Sequence, residues 1–230
     1  YVIPAAGGEA RRVTNDQWMN GTPQWSPDGK SLLYLASMNP DAPRVFTPQV
    51  RVVSLVDNSV RDLVAGWGDI YAVSWLPDGE TLVFIGQRSG LPIGSKSDLW
   101  VLPVGGSQPE CRTAGLKAGV NGGMEPDMPV FSYLTHVPLS KDGQTAYVGA
   151  QIGGTEQIYA VALSGAEDVR PLLTGDRACL LQDVSADHIL YIVSTMHTPT
   201  VLYVAGRDGS GERRLTAIND ELLAQLELPA

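Results

Sequence analysis

The hydrophobic residues of this chain fall in short runs, and a tight turn joins the runs in pairs. The turn reads Pro-Asp-Gly at residues 27–29 and 77–79, and Asp142 with Gly143 occupies the same place in a third copy. Proline fixes the first corner of such a turn, the aspartate side chain caps it, and glycine adopts the positive φ that other residues resist. A weaker fourth copy has His188 where the other copies have glycine. The pattern therefore predicts four β-hairpins.

A second pair of short runs follows each hairpin, so each repeat predicts four antiparallel strands, which we number from first to fourth. The turn aspartates lie 50, 64 and 45 residues apart along the chain. These intervals are typical of β-propeller blades of roughly 40 to 50 residues, with one long insertion. The sequence thus predicts an all-β fold, a partial β-propeller with four full four-stranded antiparallel blades and the back half of another. The expected divisions are a half blade at 1–14, blades at about 22–65, 70–114, 134–174 and 183–216, and a linker at 217–230.

The second and third strands are apolar almost throughout, as at 82–85 and 99–102. A continuous apolar strand indicates a sheet that is covered on both faces, as in blades stacked around a ring. A two-sheet sandwich would instead leave one face of each sheet polar. We expect the fourth strands to form the solvated outer edge, where charged residues discourage edge-to-edge pairing. The charges in question are Arg12, Arg61, Arg112, Arg170 and Arg214.

Antiparallel order sorts the connections between strands onto two faces. The Asp-Gly turns and the turns between third and fourth strands share one face, and the remaining connections share the other. The long irregular connections at 37–48, 87–97, 114–133 and 175–183 all fall on that second face. Because long loops on a rigid scaffold usually carry binding sites, this is the predicted working face.

Five residues on this face are candidates for contact with a ligand or another domain: Arg88, Lys96, Phe131, Tyr133 and His197. Arg88 and Lys96 either steer an acidic ligand or pair with a partner domain, or they are ordinary surface charges. Phe131 and Tyr133 make the longest loop apolar, which indicates contact with another domain or a ligand, or folding back onto its own blade. His197 is either functional or a solvated loop residue.

Composition limits the partners of this chain. Its 230 residues include 25 acidic and 16 basic ones, for a net charge of −9. Nucleic acids and anionic membranes bind clustered Lys and Arg, so neither is an expected partner. No apolar run approaches the roughly 18 residues needed to span a bilayer. The two cysteines, Cys111 and Cys179, are too few for a disulfide framework and are expected to be unpaired.

Catalytic motifs are missing from the sequence. No serine has glycines two residues before and after it, and His136, His188 and His197 lie in none of the spacings used for metal ligation. We therefore assign no catalytic residue, and we expect no metal and no cofactor.

Several short motifs carry a family resemblance. They are Trp25-Ser26-Pro27-Asp28-Gly29-Lys30, Trp75-Leu76-Pro77-Asp78-Gly79, the endings at 7–14 and 211–216, and the tail Asn219-Asp220-Glu221-Leu222-Leu223. With these motifs the chain resembles TolB-like Pro-Asp-Gly propellers and, more closely, the propeller of S9 (prolyl oligopeptidase) family serine peptidases of the acylaminoacyl-peptidase type. The tail discriminates between the two, because it is similar to the junction where those peptidases pass from propeller to α/β-hydrolase domain.

The resemblance implies a noncatalytic domain that caps the active site of a cytoplasmic peptidase and admits short peptides. The family's Ser-Asp-His triad belongs to the α/β-hydrolase domain of the same chain, expected after Ala230, so no triad residue maps onto this sequence. The family usually has roughly seven or eight blades, so we expect the C-terminal part of a propeller whose uncovered blade faces self-associate.

Two other functions come from different classes. The first is a TolB-like module for protein–protein interaction. The second, a propeller lyase or glycosidase, is less favoured because no carboxylate or histidine cluster recurs in the first strands.

Overall fold

Consecutive antiparallel strands build this protein. The computed structural model describes residues 1–37, 48–92, 95–120 and 134–227. These residues form fifteen β-strands and one short helix, and each strand of a blade pairs with the next in antiparallel fashion. The predicted all-β fold, a partial propeller with four-stranded blades, is confirmed.

The blades follow one another along the chain. The first blade contains β1 (Met19–Trp25), β2 (Ser31–Ser37), β3 (Pro48–Ser54) and β4 (Val60–Val64). The second contains β5 (Gly68–Trp75), β6 (Thr81–Arg88), β7 (Asp98–Pro103) and β8 (Glu110–Cys111). The third contains β9 (Thr145–Ile152), β10 (Thr155–Ala162) and β11 (Val169–Leu173), with its first strand reduced to a bridge between Leu139 and Ala146. The fourth contains β12 (Ala178–Val184), β13 (His188–Ser194), β14 (Val201–Gly206) and β15 (Arg213–Arg214). Ahead of them, a bridge between Val2 and Arg11 marks the half blade.

The hairpin turn of the fourth blade is shorter than the other three. In the first three blades the closing hydrogen bonds run from Ser26 N to Ser31 O, from Leu76 N to Thr81 O and from Ser140 N to Thr145 O. In the fourth, Ser185 N donates to His188 O, so the turn is two residues shorter. His188 is therefore the first residue of β13. The prediction that His188 replaces the turn glycine is wrong, because the turn lost residues instead of exchanging one.

One connection predicted to be an irregular loop is largely a strand. Most of the expected loop at 175–183 is strand β12, in which Cys179 and Leu181 are buried against the third blade. The sequence missed this strand because its burial depends on a neighbouring blade. In the third blade, glycines 153 and 154, both with positive φ, join β9 directly to β10.

The hydrophobic core lies between blades. One cluster joins β2 and β3 of the first blade to β5, β6 and β7 of the second, and similar clusters join the second blade to the third and the third to the fourth. Within β6, Leu82 and Phe84 face the first blade, whereas Val83 and Ile85 face the third. This two-sided burial explains why the strand is apolar without alternation.

The Asp-Gly turns of the first three blades also pack on one another. The glycines of these turns, Gly29, Gly79 and Gly143, have φ values of +70°, +68° and +68°. A Cβ atom on Gly79 would lie 3.9 Å from Pro27 of the preceding turn, and a Cβ on Gly143 would lie 2.5 Å from Pro77. Gly143 is thus required for two reasons: its φ is positive, and there is no room for a Cβ atom beside Pro77.

One predicted edge arginine is a core residue. Arg112 follows β8 and is only 2% exposed, so its assignment to the solvated edge is wrong. Its guanidinium enters the third-to-fourth-strand turn of the next blade. It donates there to the carbonyl oxygens of Ala162 (3.0 Å), Ser164 (3.1 Å), Gly165 (3.1 Å) and Ala166 (3.2 Å). The fifth N–H bonds Glu110 at 2.6 Å, so all five donors have acceptors.

A charged group joins the start of the fourth blade to the connection between its last two strands. Arg177 donates to both carboxylate oxygens of Glu212, at 2.8 and 2.6 Å, and the hydroxyl of Tyr191 donates to the same carboxylate at 2.6 Å. The Arg177 guanidinium, with help from Tyr191, holds the pKa of Glu212 below its ordinary value. Paired donors of this kind favour the ionised carboxylate.

We expect Glu212→Gln to lower the free energy of unfolding at pH 7 and to have less effect in acid. Because the pKa of Glu212 is lower in the folded chain than in the unfolded one, its contribution is present above the ordinary pKa of 4.5 and is lost as the pH falls through the folded value. Urea unfolding at pH 7 and near pH 3 measures the difference. Equal losses at both pH values would contradict the ion-pair assignment.

The chain after β15 turns into helix α1 (Asp220–Leu223). Arg214, the second residue of β15, donates to both carboxylate oxygens of Asp220, one of them at 2.9 Å. This bidentate pair ties the helix to the last strand. The side chains of Ile218, Leu222 and Leu226 are exposed.

Candidate functional site

The candidate site is the face that carries the second-to-third-strand and fourth-to-first-strand connections, which we call the loop face. The observed pairings place the C-terminal ends of second and fourth strands on this side of every blade. The opposite side, which carries the Asp-Gly turns, is called the turn face. Each blade therefore presents residues to the loop face from a rigid sheet.

Arg88 is the best-defined candidate on the loop face. It ends β6, its side chain is exposed, and its guanidinium carbon lies 4.9 Å from the centre of the Trp100 ring. A cation at this distance from an indole face is attracted by the ring quadrupole. The Trp100 ring thus orients the Arg88 guanidinium.

Strand register explains how Arg88 reaches Trp100. Phe84 pairs directly with Trp100, so residues 84, 86 and 88 share the sheet face that carries this tryptophan. Gly86 has no side chain to stand between them, and its carbonyl accepts the Trp100 Nε1–H at 3.0 Å. The Arg88 guanidinium therefore lies over a Trp100 ring whose orientation is fixed by a hydrogen bond.

Trp67 completes an aromatic support beneath this arginine. Its ring meets Phe84 and Trp100 edge to face, with centroids 4.9 and 5.1 Å away. A Cβ on Gly86 would meet Trp67 at 3.1 Å and the Asp69 carbonyl at 2.3 Å. The glycine is therefore needed for the close approach. The sequence predicts Trp100 only as part of the apolar strand 99–102, although the glycine at 86, two residues after the position that pairs with Trp100, is a signal for a side chain lying over the ring.

Lys96 is held by its own blade. Its ammonium lies 2.8 Å from the Asp98 carboxylate and donates to the carbonyls of Thr113 (3.0 Å) and Leu116 (2.6 Å). These contacts hold Thr113 and Leu116, at the start of the connection between the second and third blades, against Lys96. The predicted contact of Lys96 with a ligand or another domain stays a prediction, and the observed contacts give it a structural role.

His197 lies at an exposed loop tip of the fourth blade. The hydroxyl of Thr195 accepts the amides of His197 and Thr198, at 3.2 and 3.0 Å, which shapes a tight turn. The adjacent Met196 is 92% exposed. The structure thus places Arg88 and Lys96 on the second blade and His197 on the fourth. Phe131 and Tyr133 lie outside the described residues.

The described residues offer no sign of metal chemistry on this face. Across 1–37, 48–92, 95–120 and 134–227, no group of three or more His, Cys, Asp or Glu side chains is placed to hold a metal ion.

Cys111 and Cys179 are unpaired, as predicted, and burial raises the pKa of the Cys179 thiol to about 11. No helix in the described part of the chain is long and apolar enough to cross a membrane.

Comparison with known proteins shows the fold. No protein-family model matches the sequence, and no curated protein matches it. Among solved structures, the chain is similar to TolB from Acinetobacter baumannii (17% identity, TM-score 0.62), with 93% of this chain and 47% of that one covered. It is similar to a puromycin hydrolase (15% identity, TM-score 0.66), with 90% of this chain and 30% of that one covered. A prolyl endopeptidase is similar at 13% identity and a TM-score of 0.61, with 87% and 29% covered. The chain spans less than half the length of each.

Proposed function

We propose that this chain is the noncatalytic propeller portion of an S9 (prolyl oligopeptidase) family serine peptidase of the acylaminoacyl-peptidase type, where it caps the active site and gates peptide access. The observation that carries the proposal is the exit of the last blade. β15 runs toward the loop face, and the Arg214–Asp220 pair holds helix α1 beside it. A hydrolase domain attached at this point would lie next to the long loops.

Two features of the loop face support this proposed gate. Arg88 offers an oriented cation, and the exposed loop tip at Met196 and His197 offers a second contact. A peptide carboxylate or an acidic surface of the hydrolase domain would be attracted to Arg88. Two of the similar solved structures are named as a puromycin hydrolase and a prolyl endopeptidase, and both exceed this chain in length. In that setting the catalytic serine, aspartate and histidine come from the hydrolase domain.

A decisive experiment uses the full natural chain. We expect it to hydrolyse acyl-peptide or short peptide substrates, to be labelled by a fluorophosphonate at one serine outside residues 1–230, and to leave folded proteins intact.

Arg88→Ala should raise KM for peptides with little change in serine labelling, whereas Arg61→Ala, on an outer edge, should change neither. A chain without a reactive serine would contradict the peptidase proposal.

The similarity to TolB, which covers 93% of this chain, favours a second candidate function. In that case the loop face binds a protein partner and no hydrolase domain follows. The fluorophosphonate experiment separates the two candidates, because only a peptidase is labelled.

We also propose that the 230-residue chain by itself pairs with a second copy through the open face of the fourth blade. In the earlier blades the residue at the end of the fourth strand is buried by the next blade, whereas Leu215 is 40% exposed. The buried equivalents are Val13, Val64, Arg112 and Leu173. Strand register places Leu190, Ile192, Leu202 and Val204, all partly buried, on the same sheet face. An apolar sheet face of this kind favours association.

Sedimentation velocity tests this expectation. The chain should sediment as a dimer or larger species, and Leu215→Glu should shift it toward monomer. Val56→Glu is the control, because Val56 is 81% exposed and lies on the turn face. A wild-type monomer at all concentrations would rule out the pairing.

A further inference from the structure

A cavity of about 300 Å³ with a mixed polar and apolar lining lies between the third and fourth blades on the turn face. Besides four charged side chains, the lining includes Tyr147, which is 4% exposed, with Ser140, Thr145, Ala160 and Leu172. The charged residues are Asp142 and Arg170 of the third blade and Arg207 and Asp208 of the fourth. The cavity is on the opposite side from Arg88 and His197, so the proposed gate does not use it.

The cavity is located where the packing of successive turns is interrupted. Between the earlier blades, a proline of one turn approaches the glycine of the next, as Pro77 does with Gly143. The third turn has Lys141 in place of the proline, and the fourth turn is two residues shorter and lacks the glycine. The amide of Arg207 donates to the carbonyl of Asp187 in this short turn. The shortened turn thus adjoins the opening.

The arginines that line the cavity have hydrogen-bond donors that a ligand could use. Arg207 is half-buried, and its guanidinium makes no hydrogen bond or ion pair with any residue that the structure describes. Arg170 is 65% exposed and shares its charge with Asp168 at 3.2 Å. A half-buried guanidinium without a protein partner is uncommon, because its five donors are then left to solvent or a ligand.

Both aspartates of the cavity are ionised and use only one oxygen each. Asp142 Oδ1 accepts from Ser140 and Gln144, and Asp208 Oδ1 accepts twice from Ser210. The serine hydroxyls, followed by the backbone amides, lower the pKa of both carboxyl groups. Each Oδ2 has no donor within the described parts of the chain. The lining therefore presents two positive and two negative groups.

We propose that this cavity binds a small zwitterion of the amino acid or dipeptide class. A simple anion would be attracted by Arg207 but repelled by the two carboxylates. A simple cation would be attracted by the carboxylates but repelled by the two guanidinium groups. Neither ligand would therefore have only favourable electrostatic interactions in the cavity. A zwitterion places its carboxylate on Arg207 and its ammonium on a free aspartate oxygen. The volume, at the small end of ligand pockets, suits a ligand of this size. The proposal is independent of the proposed peptidase role.

Titration calorimetry of the full chain with three probes tests the proposal. Glycylglycine carries both charges, N-acetylglycine only the carboxylate, and glycinamide only the ammonium. We expect glycylglycine to bind at least about tenfold more tightly than either of the others, because each lost charged hydrogen bond weakens binding by about that factor. Equal binding of a singly charged probe, or no saturable binding of glycylglycine, would overturn the proposal.

Variants locate the binding. Arg207→Ala and the size-conserving Arg207→Gln should each weaken glycylglycine binding by about tenfold or more. Arg213→Ala should leave it unchanged, because Arg213 is exposed on β15 and does not line the cavity. Circular dichroism checks that the variants are folded. Unchanged binding in both Arg207 variants would place the ligand elsewhere and reject this site.

Discussion

Replacing Arg112 by alanine should lower the free energy of unfolding by about 3 kcal/mol or more, the largest loss expected among the arginines that the structure describes. The substitution removes five hydrogen bonds, four of them to carbonyl oxygens of the next blade. It also leaves an unfilled volume where a side chain only 2% exposed had packed. Part of the loss will be recovered because the turn carbonyls near Ser164 can bind water. Urea unfolding followed by far-ultraviolet circular dichroism measures the change.

Two further variants identify the cause. Arg112→Lys keeps the charge but cannot reproduce the planar fork, so it should lose most of the same stability. Arg61→Ala, an exposed arginine on β4, should change the free energy of unfolding by about 0.5 kcal/mol or less. If Arg112→Lys were as stable as the wild type, the carbonyl contacts would not be the source of stability.

The second large effect is expected at the stacked Asp-Gly turns. Gly143→Ala should lower the free energy of unfolding by about 2 to 5 kcal/mol, because it combines a left-handed backbone cost of about 1 to 2 kcal/mol with overpacking of about 1 to 3 kcal/mol. The overpacking arises because the new Cβ would lie 2.5 Å from Pro77 of the preceding blade. Chemical denaturation again provides the measurement.

Two glycines with the same backbone geometry serve as controls. The φ values of Gly29 and Gly79 are within 2° of that of Gly143, but a Cβ on Gly79 has 3.9 Å of room and one on Gly29 has no neighbour within 4 Å. Their alanine variants should therefore show only the backbone cost. Pro77→Ala combined with Gly143→Ala should recover part of the loss. Equal destabilisation of all three glycine variants would show that the turns do not pack against each other.

The propeller fold could be predicted because its signals are local. The Asp-Gly turn fixes a hairpin within six residues, and the apolar strands on either side imply a sheet covered on both faces. Each strand of the second blade falls within the predicted blade range or two residues outside it. The sequence does not predict strand β12, because the burial of β12 depends on the neighbouring blade. It does not predict the short turn at His188, because that turn has two residues fewer than the turns it was compared with.

Candidate residues were harder to assign from the sequence because their roles depend on partners that lie far away in the chain. Arg88 and Lys96 have the same charge and lie eight residues apart, yet Arg88 is oriented over Trp100 while Lys96 is surrounded by carbonyl oxygens. The sequence assigns Arg61 and Arg112 alike to the solvated outer edge, yet Arg112 is buried and Arg61 is exposed.

The sequence by itself determined the repeat, the four-stranded blade and the face on which the long connections lie, because turn chemistry and strand hydrophobicity act over a few residues. Only the tertiary structure decided which arginines are buried, which lysine is structural and where a cavity remains between blades. Those outcomes depend on how one blade docks on the next, and docking places residues about fifty positions apart in contact, as for Arg112 and Ala162.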